Sequence, residues 1–138
     1  YLSPVRSGVV GASHVLRETL FSLQAAPALA SPSRPLRADE LLPEGRFLGD
    51  DYAREELYQN VYRVLHGDNP DDPTFVTVST FFEERQFLEN TAKDLNVHPN
   101  TVRYRLKRAA ETTGWDATDP RDAYVLTTAL AIGRMRDR

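Results

Sequence analysis

The sequence predicts a mainly α-helical protein: a helix-turn-helix within a small helical bundle, preceded by a helical segment with one short extended piece. Three observations carry that prediction. Apolar residues recur at three- and four-residue intervals along most of the chain. Asp72-Pro73 and Asp119-Pro120 are cap-and-first-turn pairs, in which the carboxylate takes free amides and the proline has no amide to leave unpaired. The run rich in Val, Thr and Phe, residues 74–82, has no companion strand nearby, so it reads as a helix with Phe75, Val78 and Phe82 on one face.

The elements follow in order. Residues 13–26 place Val15, Leu16, Leu20 and Leu23 at helical spacing, with Ser13 as the expected N-cap. Residues 27–35, with three prolines, read as a linker. A short extended piece at Leu36-Arg37 and a brief helix around Asp39 to Leu42 come next. A longer helix is expected from Asp50 or Asp51, because Ala53, Leu57, Val61 and Leu65 recur every four residues until Gly67. After the helix read over residues 74–82, two short helical patterns flank a tight turn. Leu88, Ala92 and Leu95 mark the first, and Val102, Leu106, Ala109 and Ala110 the second, which Gly114 stops in the left-handed conformation that suits glycine. Asp119-Pro120 starts a last helix with Ala123, Leu126, Ala129 and Leu130 inward.

Composition sets outer bounds. At 138 residues, 41% hydrophobic and 27% charged, the chain has the makeup of an ordinary globular protein. It has no cysteine, so disulfides, thiol catalysis and cysteine-ligated metals are excluded. No apolar run is long enough to span a bilayer, no signal-peptide pattern opens the chain, and a cytoplasmic location is expected. The absence of an initial Met before Tyr1 reads as a fragment of a longer protein. Net charge is −3, but residues 99–113 hold Arg103, Arg105, Lys107 and Arg108 against Glu111 alone, a balance of +3 that leaves −6 for the rest. An acidic body with one small basic face suits a protein that holds nucleic acid through a single element.

That face follows a turn built to cross two helices. Ala92 is small where the helices touch, Asn96 tolerates positive φ, Val97 plugs the turn, His98 takes the N-cap position and Pro99 the first helical one. With the buried centre between Val102, Leu106 and Ala109, the opposite side carries Asn100, Tyr104, Lys107 and Arg108, flanked by Thr101, Arg103 and Arg105. Asn and Arg can read adenine and guanine edges in bidentate fashion, while Lys, Arg, Thr and Tyr can hold phosphates. Free amides in the helix's first turn are expected to face a phosphate as well. For His98, capping is the leading role and DNA contact the second. Arg105, on the flank, could instead pair with the first helix of the motif.

The stretch TAKDLNVHPNTVRYRLKR, residues 91–108, resembles the C-terminal helix-turn-helix of the PucR/CdaR family of bacterial transcriptional regulators, itself similar to the Fis-type motif. The resemblance rests on Thr91-Ala92, Leu95, Val97-His98, Asn100-Thr101, Val102, Arg103-Tyr104-Arg105 and Leu106, and extends over about residues 47 to 136. Asn96, Phe87 and Pro99 depart from the glycine, capping serine and arginine found in other members. The resemblance implies two parts: residues 1–46, the tail of an upstream degenerate GGDEF-like domain plus linker, and residues 47–138, the DNA-binding domain. It also implies control of metabolic genes, with the effector sensed by domains outside this chain.

The function expected is sequence-specific binding of double-stranded DNA, by a homodimer on an operator with two half-sites, with no catalysis and no cofactor. Asn100, Arg103 and Tyr104 are the base-edge candidates; Thr101, Arg105, Lys107 and Arg108 the phosphate candidates. The alternative is a protein-interaction or autoinhibitory module, whose basic face docks an acidic partner or the acidic stretch 51–86. His14, His66 and His98 lie on separate elements, which argues against a metal site. Asp71-Asp72 and Glu83-Glu84 are explained by solvation at a turn and a helix end. The phenylalanines at 75, 81, 82 and 87 read as core or dimer interface, and Trp115 as packing over the last loop.

Overall fold

The computed structural model describes residues 5–28, 34–37, 39–47, 49, 51–69 and 71–137. Among these the secondary structure is helical throughout, apart from one bridge residue at Arg37 in the expected extended piece. The chain forms two compact units, Tyr1–Glu56 and Leu57–Arg138. That division falls ten residues beyond the break read after Arg46.

In the first unit, α1 (Gly8–Ala25) packs on α2 (Leu42–Phe47), which packs on α3 (Asp51–Glu56). The first helix corrects the sequence reading twice. It starts at Gly8 after an extended Ser7, so Ser13 lies inside it; the glycines and valines of residues 8–12 are weak helix formers, but no proline among them breaks the helix. Its inward side is Gly11, Glu18, Ser22 and Ala25, while Leu16, Leu20 and Leu23 are 67%, 62% and 60% exposed. Small residues allow close approach there, and Arg6 reaches across to the buried Glu18 and lies 4.3 Å over the Tyr52 ring. Burial, followed by the hydrogen bond to Glu56, pushes the Tyr52 hydroxyl up to about 12. The short helix expected near Asp39 is a 3-10 turn, Asp39–Leu41, leading into α2. Residues 29–33 of the expected linker and Asp50 lie outside the described residues.

The second unit opens with a π-helical turn, Leu57–Tyr62, and α4 (Arg63–His66). Leu57, Val61 and Leu65 are all buried, as their spacing predicts. Residues spaced by four drift about 40° per step around a regular α-helix; the wider π turn keeps them inward. Then follow α5 (Pro73–Glu83), α6 (Leu88–Asp94), α7 (Pro99–Thr113) and α8 (Pro120–Arg136). The ambiguous run 74–82 is helical, started by Asp72, whose carboxylate accepts from the Thr74 and Phe75 amides at 2.8 and 3.3 Å. Asp119 starts α8 in the same way through the Arg121 and Asp122 amides.

The core of this unit joins α8 to the π turn and α7 to α4, α5 and α6. Leu57, Val78, Val102, Val125 and Leu126 are fully buried. Gly133 of α8 lies directly against the Tyr62 ring, so close that a Cβ there would overlap it. The phenylalanines divide: Phe81 is buried, Phe75 and Phe82 half-buried, and Phe87 exposed. Phe75 packs edge-on to His66, centroids 4.6 Å apart. Arg85 and Gln86, with φ of 55° and 64°, turn the chain between α5 and α6, a bend the sequence reading did not anticipate.

Candidate nucleic-acid interface

The two helices of the motif are held by the turn between them. Asn96 adopts φ 51°, and the Val97 amide donates to the Ala92 carbonyl at 2.9 Å. Ala92 and Thr91 are buried at the crossing, where any larger side chain would push the helices apart. The Thr91 hydroxyl donates to the Phe87 carbonyl, 2.9 Å, so the start of α6 is tied although Phe87 offers no side-chain cap.

At the mouth of α7, His98 is extended and its Nδ1 accepts from the Asn100 amide at 3.1 Å. Pro99 has no amide, and the Thr101 and Val102 amides both donate to the His98 carbonyl, at 2.8 and 3.4 Å. The first-turn amides expected to face a phosphate are therefore already engaged, one by the His98 ring and two by its carbonyl.

Those side chains divide into an open face and an anchored flank. Val102, Leu106 and Ala109 are buried, as the helical wheel requires. Opposite them Asn100, Arg103, Tyr104, Lys107 and Arg108 are exposed, Tyr104 to 64%. Arg103 Nη1 donates to Asn100 Oδ1 at 2.8 Å. Lys107 is 3.8 Å from Glu111 one turn along, a contact that a phosphate can replace because both ends are in water. Thr101 is half-buried. Arg105 is half-buried too, and its Nη1 donates at 3.2 Å to Thr77 Oγ1. That hydroxyl in turn donates to the Pro73 carbonyl at 2.6 Å. Arg105 thus reaches α5, where its spacing suggested a partner on α6.

Arg108 lines a half-open cleft of about 190 Å³ with His66, Asp68, Asn69, Asp72 and Thr74. Burial alone would push the Asp72 carboxyl up, but the Thr74 and Phe75 amides, with Arg108 nearby, hold it below the ordinary carboxylate range. Glu83 is exposed, as its reading as solvated expects, and also makes a 3.0 Å ion pair with Arg134 on α8; no local spacing signals a contact between positions so far apart in sequence. Among the described residues no group of three or more His, Asp or Glu could hold a metal ion, and no helix is long and apolar enough to cross a membrane.

Residues 75–132 match the model of the PucR C-terminal helix-turn-helix domain. An uncharacterised protein of Mycobacterium tuberculosis is 37% identical over 134 residues, 97% of this chain and 32% of that protein. The purine catabolism regulatory protein of Bacillus subtilis is 32% identical over 82 residues, 59% of this chain and 15% of that one. The crystal structure of a regulator of polyketide synthase expression from Bifidobacterium adolescentis superposes with a TM-score of 0.97 at 85% identity, covering all of this chain and 54% of that one. The chain thus spans about a third of the mycobacterial relative and about half of the solved one.

Proposed function

We propose, from a chain whose residues 75–132 match the model of the PucR C-terminal helix-turn-helix domain, that its function is sequence-specific binding of double-stranded DNA within a non-enzymatic transcriptional regulator. The observation that carries this reading is the open face of α7. Asn100, Arg103, Tyr104, Lys107 and Arg108 project together into solvent beyond a turn that crosses two helices at close range. In this reading α7 enters the major groove, with Asn100, Arg103 and Tyr104 at base edges and Thr101, Lys107 and Arg108 at phosphates. Arg105 spends one of its five donors on Thr77 and offers the others to a phosphate from the flank, and His98 serves the interface by capping the helix.

The DNA-binding domain spans residues 47–138 in this proposal, and the compact unit 57–138 lies within it. Residues 1–46 are then the tail of an upstream GGDEF-like domain, and effector sensing belongs to parts of the protein beyond this chain. The names of two relatives, one for purine catabolism and one for polyketide synthase expression, support control of metabolic genes. One recognition helix buries little surface, so the working form is a homodimer on two half-sites in the cytoplasm.

Equilibrium binding to a selected operator and to random duplex tests the assignment. Arg103→Ala is expected to weaken the operator by roughly 5- to 150-fold more than random DNA, whereas Lys107→Ala weakens both alike. No binding of wild type to either duplex at low salt would instead favour an interaction module. The cleft that brings Arg108 beside Asp68 and Asp72 is the observation on the side of that second reading.

A further inference from the structure

We infer that Asn100 and Arg103 act as one reading unit, in which Asn100 is a positioning residue that splints the Arg103 guanidinium for a guanine, and does not itself read adenine. This rests on the DNA-binding reading proposed above. The two residues stand three apart at the start of α7, where side chains share a face. The Asn100 backbone is held by the hydrogen bond that its N–H donates to His98 Nδ1, so the side chain springs from a rigid base. Its Oδ1 accepts from Arg103 Nη1 at 2.8 Å, while both side chains remain exposed.

The consequence follows from counting donors. An arginine carries five N–H groups, and one Nη1–H is spent on Asn100. The edge formed by Nε and Nη2 stays intact, and that edge matches the O6 and N7 acceptors of guanine. Bidentate adenine reading by Asn100 needs Oδ1 to accept from N6 while Nδ2 donates to N7. Oδ1 is already engaged by a charged donor, which neutral adenine N6 has to displace or share. A long exposed arginine otherwise loses rotamer freedom on binding; holding it beforehand removes part of that loss.

The test uses the full chain and duplexes in which each guanine of a selected half-site is replaced singly by 7-deazaguanine, which lacks the N7 acceptor. Wild type is expected to lose about tenfold affinity at one guanine per half-site. Arg103→Ala loses that sensitivity entirely, and Asn100→Ala reduces it at the same guanine. The double variant behaves as Arg103→Ala alone, and Asn100→Asp, which keeps the acceptor, retains the guanine sensitivity while binding all duplexes more weakly. The inference is overturned if Asn100→Ala keeps full 7-deazaguanine sensitivity and relaxes selection at an adenine, or if effects of the two single variants add. It is also overturned if no guanine is sensitive in wild type. Failure of wild type to bind any duplex is a separate result, which removes the DNA-binding reading and this pair's role with it.

Discussion

Among the single residues of α7, Arg105 separates structure from recognition. Its guanidinium donates to a hydroxyl that is itself fully buried and bonded to the α5 backbone. Arg105→Ala is therefore expected to lower unfolding free energy by about 1.5–3 kcal/mol, the range for a hydrogen bond to a charged group. Lys107→Ala, exposed and paired only along its own helix, is expected to change stability by less than about 0.5 kcal/mol. Urea unfolding of both variants checks this, and equal stability would remove the anchoring role assigned to Arg105. His98 belongs to the same scale: its ring does the work that a serine or aspartate does at other helix starts.

At the scale of elements, the start of α5 and the packing of α8 can each be tested by one substitution. Asp72→Ala removes the acceptor of two amides and is expected to cost about 1 kcal/mol. The sign of its pH dependence follows from the lowered carboxyl. The unfolded state binds a proton at higher pH than the folded state, so this stabilisation is complete above the ordinary carboxylate range. It is lost as pH falls through the depressed folded value. Unfolding measured from pH 7 down to pH 2 should therefore show the wild type and Asp72→Ala curves converging in acid; parallel curves would contradict the cap. Gly133→Ala would ordinarily favour a helix by about 1 kcal/mol. Against the Tyr62 ring the added methyl has no room, and a net loss of about 1–3 kcal/mol is expected from overpacking. A more stable variant would mean that the ring yields.

The whole molecule presents two compact units, and the basic face belongs to the second. If about four phosphates are neutralised per half-site, the logarithm of the binding constant should fall against the logarithm of salt concentration with a slope of about −3 to −4. Anisotropy titrations across a salt series measure it, and a slope near zero would leave the proposed contacts without support. The first unit carries a different feature, the exposed row Leu16, Leu20 and Leu23 on α1. Its spacing is that of a buried stripe, yet it has solvent on it here, in a chain that spans about half of its solved relative.

The sequence by itself determined the helices, their starts at Asp72, His98 and Asp119, their stops at Gly67 and Gly114, and the outward face of α7. Each of these is a local matter: periodicity, a capping side chain or a permitted φ acts within a few residues. The start of α1 escaped because Gly8-Val9-Val10-Gly11 are weak helix formers that propensity alone leaves outside a helix, and Ser13 is an optional cap. Only the tertiary structure decided which way α1 turns its leucines, that Arg105 on the flank meets Thr77, that Glu83 meets Arg134, and that the first amides of α7 are taken. These outcomes depend on which surfaces meet across distances the chain crosses only by folding, and no local pattern carries that information.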